Sequence, residues 1–249
     1  MEKRFACAMD IGEKMLIHGA EVHRVEESIK RMCLAFGAER VDVFIITSSM
    51  VVTVFDGDKT YTQTRRITKS ATDYEKIHIL NNLARKICKE NMSAEQICEE
   101  FGKANESRKY PFWLECVCYA VIAAAFTLFF GGNIKEGIVS LLIGAVVRIG
   151  IWFCEKAIKG KIFSKFFSAV IATLLAFIFV KIGVILDVDK VIIGNIMTLI
   201  PGIGLTNALR DLFTGDSIAG ILRSVEAVLT ALAIAAGYFL VAILGGFAL

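Results

Sequence analysis

The chain has 249 residues, 55% hydrophobic and 21% charged, with a net charge of +3 and a mean hydropathy of +0.61. That balance excludes an ordinary soluble domain, and so small a net charge gives no basis for nucleic-acid binding. Seven cysteines without a CxxC pair or zinc spacing argue against a disulfide framework and fit a reduced cytoplasm.

The character of the chain changes at Pro111. Residues 1–110 carry all three histidines and most of the charge, whereas residues 111–249 are apolar runs cut by short joints. The predicted fold is an α-helical membrane bundle of about five transmembrane helices with an N-terminal cytoplasmic α+β domain. The domains expected are 1–110 and 111–249.

The N-terminus is amphipathic and charged and lacks the apolar core of a secretory signal. The first 40 residues read as helix. Val22, Val25, Ile29, Met32 and Phe36 form one stripe at helical spacing, and Gly37 marks a stop. Glu21, Glu26 and Ser28 border that stripe, with Arg24 one step beyond, and Glu26–Lys30 and Glu27–Arg31 are favourable i,i+4 pairs. The continuous apolar run Val41 to Thr47 predicts a central strand covered on both faces. Met50 to Phe55 is a second strand, Asp56-Gly57 a hairpin signal, and Lys59 to Ile67 a third strand with an exposed face. Helices are expected from about Tyr74 to Glu90 and Ser93 to Lys103, the latter opened by a Ser93–Gln96 capping box. A polar linker, Lys103 to Tyr110, follows.

Five segments are candidates for spans: about Phe112–Phe130, Gly137–Phe153, Ile162–Leu186, a fourth from Val191 interrupted at Pro201-Gly202, and a fifth from Ile218 onward. Lys156, Lys159, Lys161 and Lys165 crowd the joint after the second span, and Arg210 and Arg223 the joint after the fourth. The other joints are nearly neutral. The positive-inside bias then places the N-terminal domain in the cytoplasm and the C-terminus outside.

The fourth segment departs most from a simple span. Proline removes a backbone donor and clashes with the preceding turn, and Gly202 and Gly204 reinforce the break. Non-helical backbone at membrane depth survives only where it lines a cavity or is buried in protein, and transporters build substrate sites from such breaks. Asn195, Thr198, Thr206, Asn207 and Asp211 supply polar groups near Pro201 and Gly202. The alternative is a span ending at Pro201 followed by an amphipathic connector. Arg148 lies within the second span, where charge faces a cavity, finds a partner or snorkels. Glu115 reads as interfacial. Glu226, in the fifth span, has Arg223 or Arg148 as possible partners.

His18, Glu21, His23 and Glu26 lie close in sequence, but His23 points away from the first two and no HExxH pattern occurs. No P-loop, GxGxxG or GxSxG is present either. No cofactor, metal or catalytic residue is therefore predicted.

Gly19 to Ser28 with Phe36-Gly37, and Leu199 to Gly202 followed by Asn207, Asp211, Gly215-Asp216 and Gly220, resemble the two signatures of the threonine/serine exporter (ThrE-type) family. That family joins a cytoplasmic domain to about ten spans. With about five, this chain resembles the larger component of the split form, which works with a small, wholly membrane-embedded protein and has been associated with succinate export. The resemblance maps Glu21, Arg24 and Glu26 onto the first motif, and Pro201, Gly202, Asn207, Asp211 and Asp216 onto the second. The resulting expectation is an inner-membrane secondary transporter subunit, surrounded by lipid, in a hetero- or homo-oligomer, moving threonine, serine or a dicarboxylate with proton coupling. Asp211, Asp216 or Glu226 is the expected proton carrier and Arg148 the carboxylate ligand. The rival readings are a membrane-anchored enzyme and a ligand sensor.

Overall fold

The computed structural model describes residues 1–68, 71–90, 92–106, 110–157 and 160–245. Lys159, one of the joint lysines, and positions 107–109 of the polar linker lie outside the described residues. Two compact units form, Met1–Arg108 with Gly204–Ser224, and Lys109–Ile203 with Val225–Leu249.

In the first unit, α1 (Glu2–Ile17) and α2 (Val22–Ala35) replace the single helical stretch expected before Gly37. The separation has a local cause. At the end of α1 the Gly19 amide donates to Leu16 and the Ala20 amide to Met15, each at 3.0 Å. This Schellman closure needs a left-handed residue, and Gly19 supplies φ +91°. Gly37, at φ +99°, ends α2 in the same manner.

The strands β1 (Arg40–Ile46), β2 (Ser49–Asp56) and β3 (Lys59–Arg66) form an antiparallel sheet in the order β1-β2-β3. The expectation of a central strand at 41–47 is corrected here, because β2 takes the centre and β1 an edge. Its alternate residues Val41 and Ile45 are buried, while Phe44 is 57% exposed. A continuous apolar run thus serves a sheet covered on one face, where period-2 alternation decides which side chains are buried. The β2–β3 turn is Gly57-Asp58, flanked by the Asp56–Lys59 pair. Gly57 has φ +57° while Asp58 is not left-handed, the pattern of a type II′ turn.

Helix α3 (Tyr74–Lys89) starts at Asp73, whose side chain accepts from the Lys76 amide. Helix α4 (Ala94–Asn105) opens on the complete Ser93–Gln96 capping box. Both pack on the α1–α2 layer around Phe5, Met9, Met15, Ile29, Met32, Met50, Leu80 and Ile97. The buried Lys76 ammonium donates to the carbonyls of Ala104 (2.6 Å) and Glu106 (2.7 Å), closing the end of α4.

The remaining elements are α5 (Phe112–Phe129), α6 (Ile134–Ala157), α7 (Lys161–Lys181), α8 (Val188–Met197), α9 (Gly202–Thr214) and α10 (Ser217–Leu244). Four of these helices are long and apolar enough to cross a membrane, or five spans form if the bent pair α8–α9 is one. In the second unit small residues bring backbones together, as lipid-facing bundles require in place of a hydrophobic driving force. Ala169, Ala172 and Ala176 of α7 are buried. On α8, a Cβ at Gly194 would stand 2.8 Å from the Ala123 carbonyl of α5. Thr127 and Ser140 hydrogen-bond at 2.6 Å between α5 and α6. Asn133 and Glu136 form a reciprocal cap at the start of α6, and the buried Glu136 also accepts from the Asp187 amide at 3.3 Å.

Candidate functional site

The helical break falls at Thr198–Pro201, between α8 and α9. Asn195, on the last turn of α8, is buried. Its Nδ2 donates to the Val191 carbonyl at 2.9 Å, and its carbonyl accepts from Thr198 Oγ1 at 2.7 Å. Its side-chain oxygen is buried without a hydrogen-bond partner, as is Thr173 Oγ1 on α7. Buried amide oxygens are nearly always paired, since leaving one unmet costs about 1–3 kcal/mol. Pro201 is half-buried and Gly202 exposed.

Arg148 finds its partner on α5. Its Nε donates to Glu115 Oε2 at 2.9 Å and its Nη2 binds the same oxygen. The guanidinium lies over the rings of Phe112 (5.3 Å) and Tyr119 (5.8 Å), which favour a cation at their faces. The remaining nitrogen, Nη1, is buried and unpartnered. Glu115 therefore does more than mark the interface, and Glu226 lies exposed.

Asn207, Asp211 and Asp216 belong to the first unit, where they meet the first motif. Glu21 is the N-cap residue of α2, yet its side chain makes no capping bond. Asp211 takes that role from a distant part of the sequence, its Oδ1 accepting from the Val22 amide at 3.3 Å. A carboxylate at a helix N-terminus also meets the positive end of the macrodipole. Arg223 of α10 stands 2.8 Å from Asp211 Oδ2 and donates to the Ala20 carbonyl at 3.0 Å. Asn207 Nδ2 donates to the Gly19 carbonyl at 3.3 Å, and Arg210 pairs with Glu21. Four side chains of α9 and α10 thus hold the α1–α2 elbow.

Two glycines of the second motif shape the α9–α10 turn. Gly215, at φ +99°, turns the chain between α9 and α10, and a Cβ at Gly220 would come within 2.6 Å of Leu212. Asp216 caps the turn, its amide donating to the Asp211 carbonyl at 2.9 Å. Glu26 is half-buried on α2. Burial first, and Asp216 second, hold its carboxyl above the ordinary value. Arg24 is exposed, its carbonyl accepting from Ser28 Oγ at 2.8 Å. The expected Glu27–Arg31 pair forms at 2.5 Å. His18 ends α1 with burial lowering its pKa, and His23 is exposed on α2.

Sequence reasoning offered Arg223 as a joint charge and as a partner for Glu226 rather than Asp211, and passed over Thr173 and the Asn133–Glu136 cap. The N-x-x-E spacing of Asn133 and Glu136 was a legible signal. Nothing local marks Arg223 as the partner of Asp211.

Residues 6–245 match the family model ThrE, "Putative threonine/serine exporter", so the chain belongs to that family. It is 23% identical over 236 residues to the "Probable succinate transporter subunit YjjP" of Klebsiella aerogenes, covering 90% of this chain and 86% of that protein. It is 21% identical over 251 residues to the "Uncharacterized protein C16A10.01" of Schizosaccharomyces pombe, where the match covers 95% of this chain but 29% of the yeast protein. No solved structure matches.

Proposed function

We propose, from its place in the threonine/serine exporter family, that this membrane transporter is one subunit of a secondary exporter completed by a small membrane-embedded partner. The substrate is a small polar metabolite, threonine or serine by the family description or a dicarboxylate such as succinate by the Klebsiella relative's name. That relative is itself described as a subunit, which supports a partner.

The observation that carries the reading is the break at Thr198–Pro201 with the buried, unpartnered oxygen of Asn195 beside it. A broken span frees backbone groups for a polar substrate, and a buried acceptor without a donor is a ready contact for an ammonium or hydroxyl group. Arg148, with one guanidinium nitrogen free of Glu115, is the proposed ligand for a substrate carboxylate. Asp211, Asp216 or Glu226 carries the coupling proton in this reading. Residues 1–110 form its cytoplasmic domain, into whose unit residues 204–224 pack, and the rest of residues 111–249 its inner-membrane domain, with the C-terminus outside; the basic joints after α6 and α9 support that orientation.

Inverted vesicles holding the chain alone, or the chain with its partner, test the reading with labelled serine, threonine and succinate. Accumulation of one substrate that needs both proteins and collapses with a protonophore is the expected result. Loss of that flux in folded Asn195→Ala and Arg148→Ala variants locates the pathway. No flux of any of the three with both proteins folded would favour an anchored enzyme or a sensor instead.

A further inference from the structure

Cys7 on α1 and Cys98 on α4 hold their sulfurs 3.0 Å apart, although the two residues are 91 positions apart in the chain. Both are free thiols, Cys7 buried and Cys98 exposed. A disulfide bond is about 2.05 Å long, so bond formation draws the sulfurs together by about 1 Å, within reach of small side-chain rotations. None of the signature residues is involved.

We propose that Cys7 and Cys98 are a reversible dithiol–disulfide site that reacts with small-molecule disulfides such as glutathione disulfide and crosslinks α1 to α4. The exposed Cys98 thiolate attacks one sulfur of the small disulfide, forming a mixed disulfide at Cys98 and releasing one thiolate. Cys7, on losing its proton, attacks Cys98 Sγ, forms the Cys7–Cys98 bond and expels the second thiolate. The two released thiolates take up the two protons lost by the cysteines. Two electrons pass from the cysteine pair to the small disulfide, which leaves as two thiols.

The order of attack follows from the surroundings. Burial first, and the neighbouring Cys98 sulfur second, push the Cys7 thiol up to about 12, so Cys7 keeps its proton while Cys98 meets the oxidant. Contact between the sulfurs offsets the scarcity of Cys7 thiolate, because a held pair reacts with an effective concentration of about 10⁵ M or more. In a reducing compartment the site rests as the dithiol and closes when that poise is lost.

The test uses the full chain in native membranes, incubated with glutathione disulfide, blocked with an alkylating agent and digested without reductant. Mass spectrometry is expected to find the Cys7 and Cys98 peptides joined and lighter by two hydrogens, with separation by dithiothreitol. Cys7→Ser is expected to trap stable glutathione on Cys98, and Cys98→Ser to leave Cys7 unmodified. A wild-type chain that ends with glutathione on Cys98 and Cys7 still free, or with both thiols unreacted, overturns the proposal.

Discussion

Replacing Arg223 by alanine strands a charge. Its partner Asp211 is fully buried, and Arg223 itself is mostly covered. Breaking a buried ion pair from one side costs about 3–5 kcal/mol, because the remaining charge keeps its desolvation penalty without compensation. The variant also removes the donor to the Ala20 carbonyl at the same elbow. At about 1.4 kcal/mol per factor of ten, opening of the elbow should become roughly 10²- to 4 × 10³-fold more frequent. Hydrogen–deuterium exchange of the full chain in detergent reads this directly at the amides that open α2, beginning with Val22, which donates to Asp211. Arg223→Ala should speed their exchange by that factor and leave the sheet amides of β2 unaffected. Arg223→Ala with Asp211→Ala should cost less than the sum of the two single changes, since neither charge is then stranded. An Arg223→Ala protein whose α2 amides exchange within tenfold of wild type, or strict additivity in the double variant, would show that the pair does not hold the elbow.

Gly194→Ala should destabilise the second unit by about 1–3 kcal/mol through overpacking, since its Cβ would stand 2.8 Å from the Ala123 carbonyl; an unchanged melting temperature of the detergent-purified chain refutes this. Lys76→Met should fray the end of α4 at a cost of about 1–3 kcal/mol, because two carbonyls lose their donor; faster exchange of the last α4 amides is the readout. Glu26 has its folded pKa raised above the ordinary 4.5 by burial and Asp216, so its protonated form favours the fold and that contribution is lost as pH rises through the raised value. Glu26→Gln should therefore stabilise the first unit at neutral pH, with the gain shrinking toward pH 4.5; denaturation curves at the two pH values decide it, and a gain that grows on acidification contradicts the sign.

Much of the fold was legible because its causes are local. Apolar runs long enough for a bilayer, the proline and glycine at the fourth segment, the Ser93–Gln96 box and the Asp56-Gly57 hairpin each act through neighbours within a few residues, so the sequence displays them directly. Family membership was legible for the same reason, in two short motifs read in order. The expected central strand at 41–47 failed on a non-local matter: an apolar run does not say whether a second layer covers its far face, and here Phe44 stays exposed.

The polar residues of the two motifs needed the tertiary structure most. A carboxylate seeks whichever donor the fold brings near, and Asp211 finds Val22 and Arg223, while Arg148 finds Glu115. The sequence by itself determined which segments avoid water, where the fourth segment breaks and which family the chain resembles, because period, capping and backbone conformation are short-range. Only the tertiary structure decided which charges neutralise one another, which buried oxygens stay unmet and which two of seven cysteines touch, because those partners are chosen by spatial proximity between residues that can lie nearly two hundred positions apart.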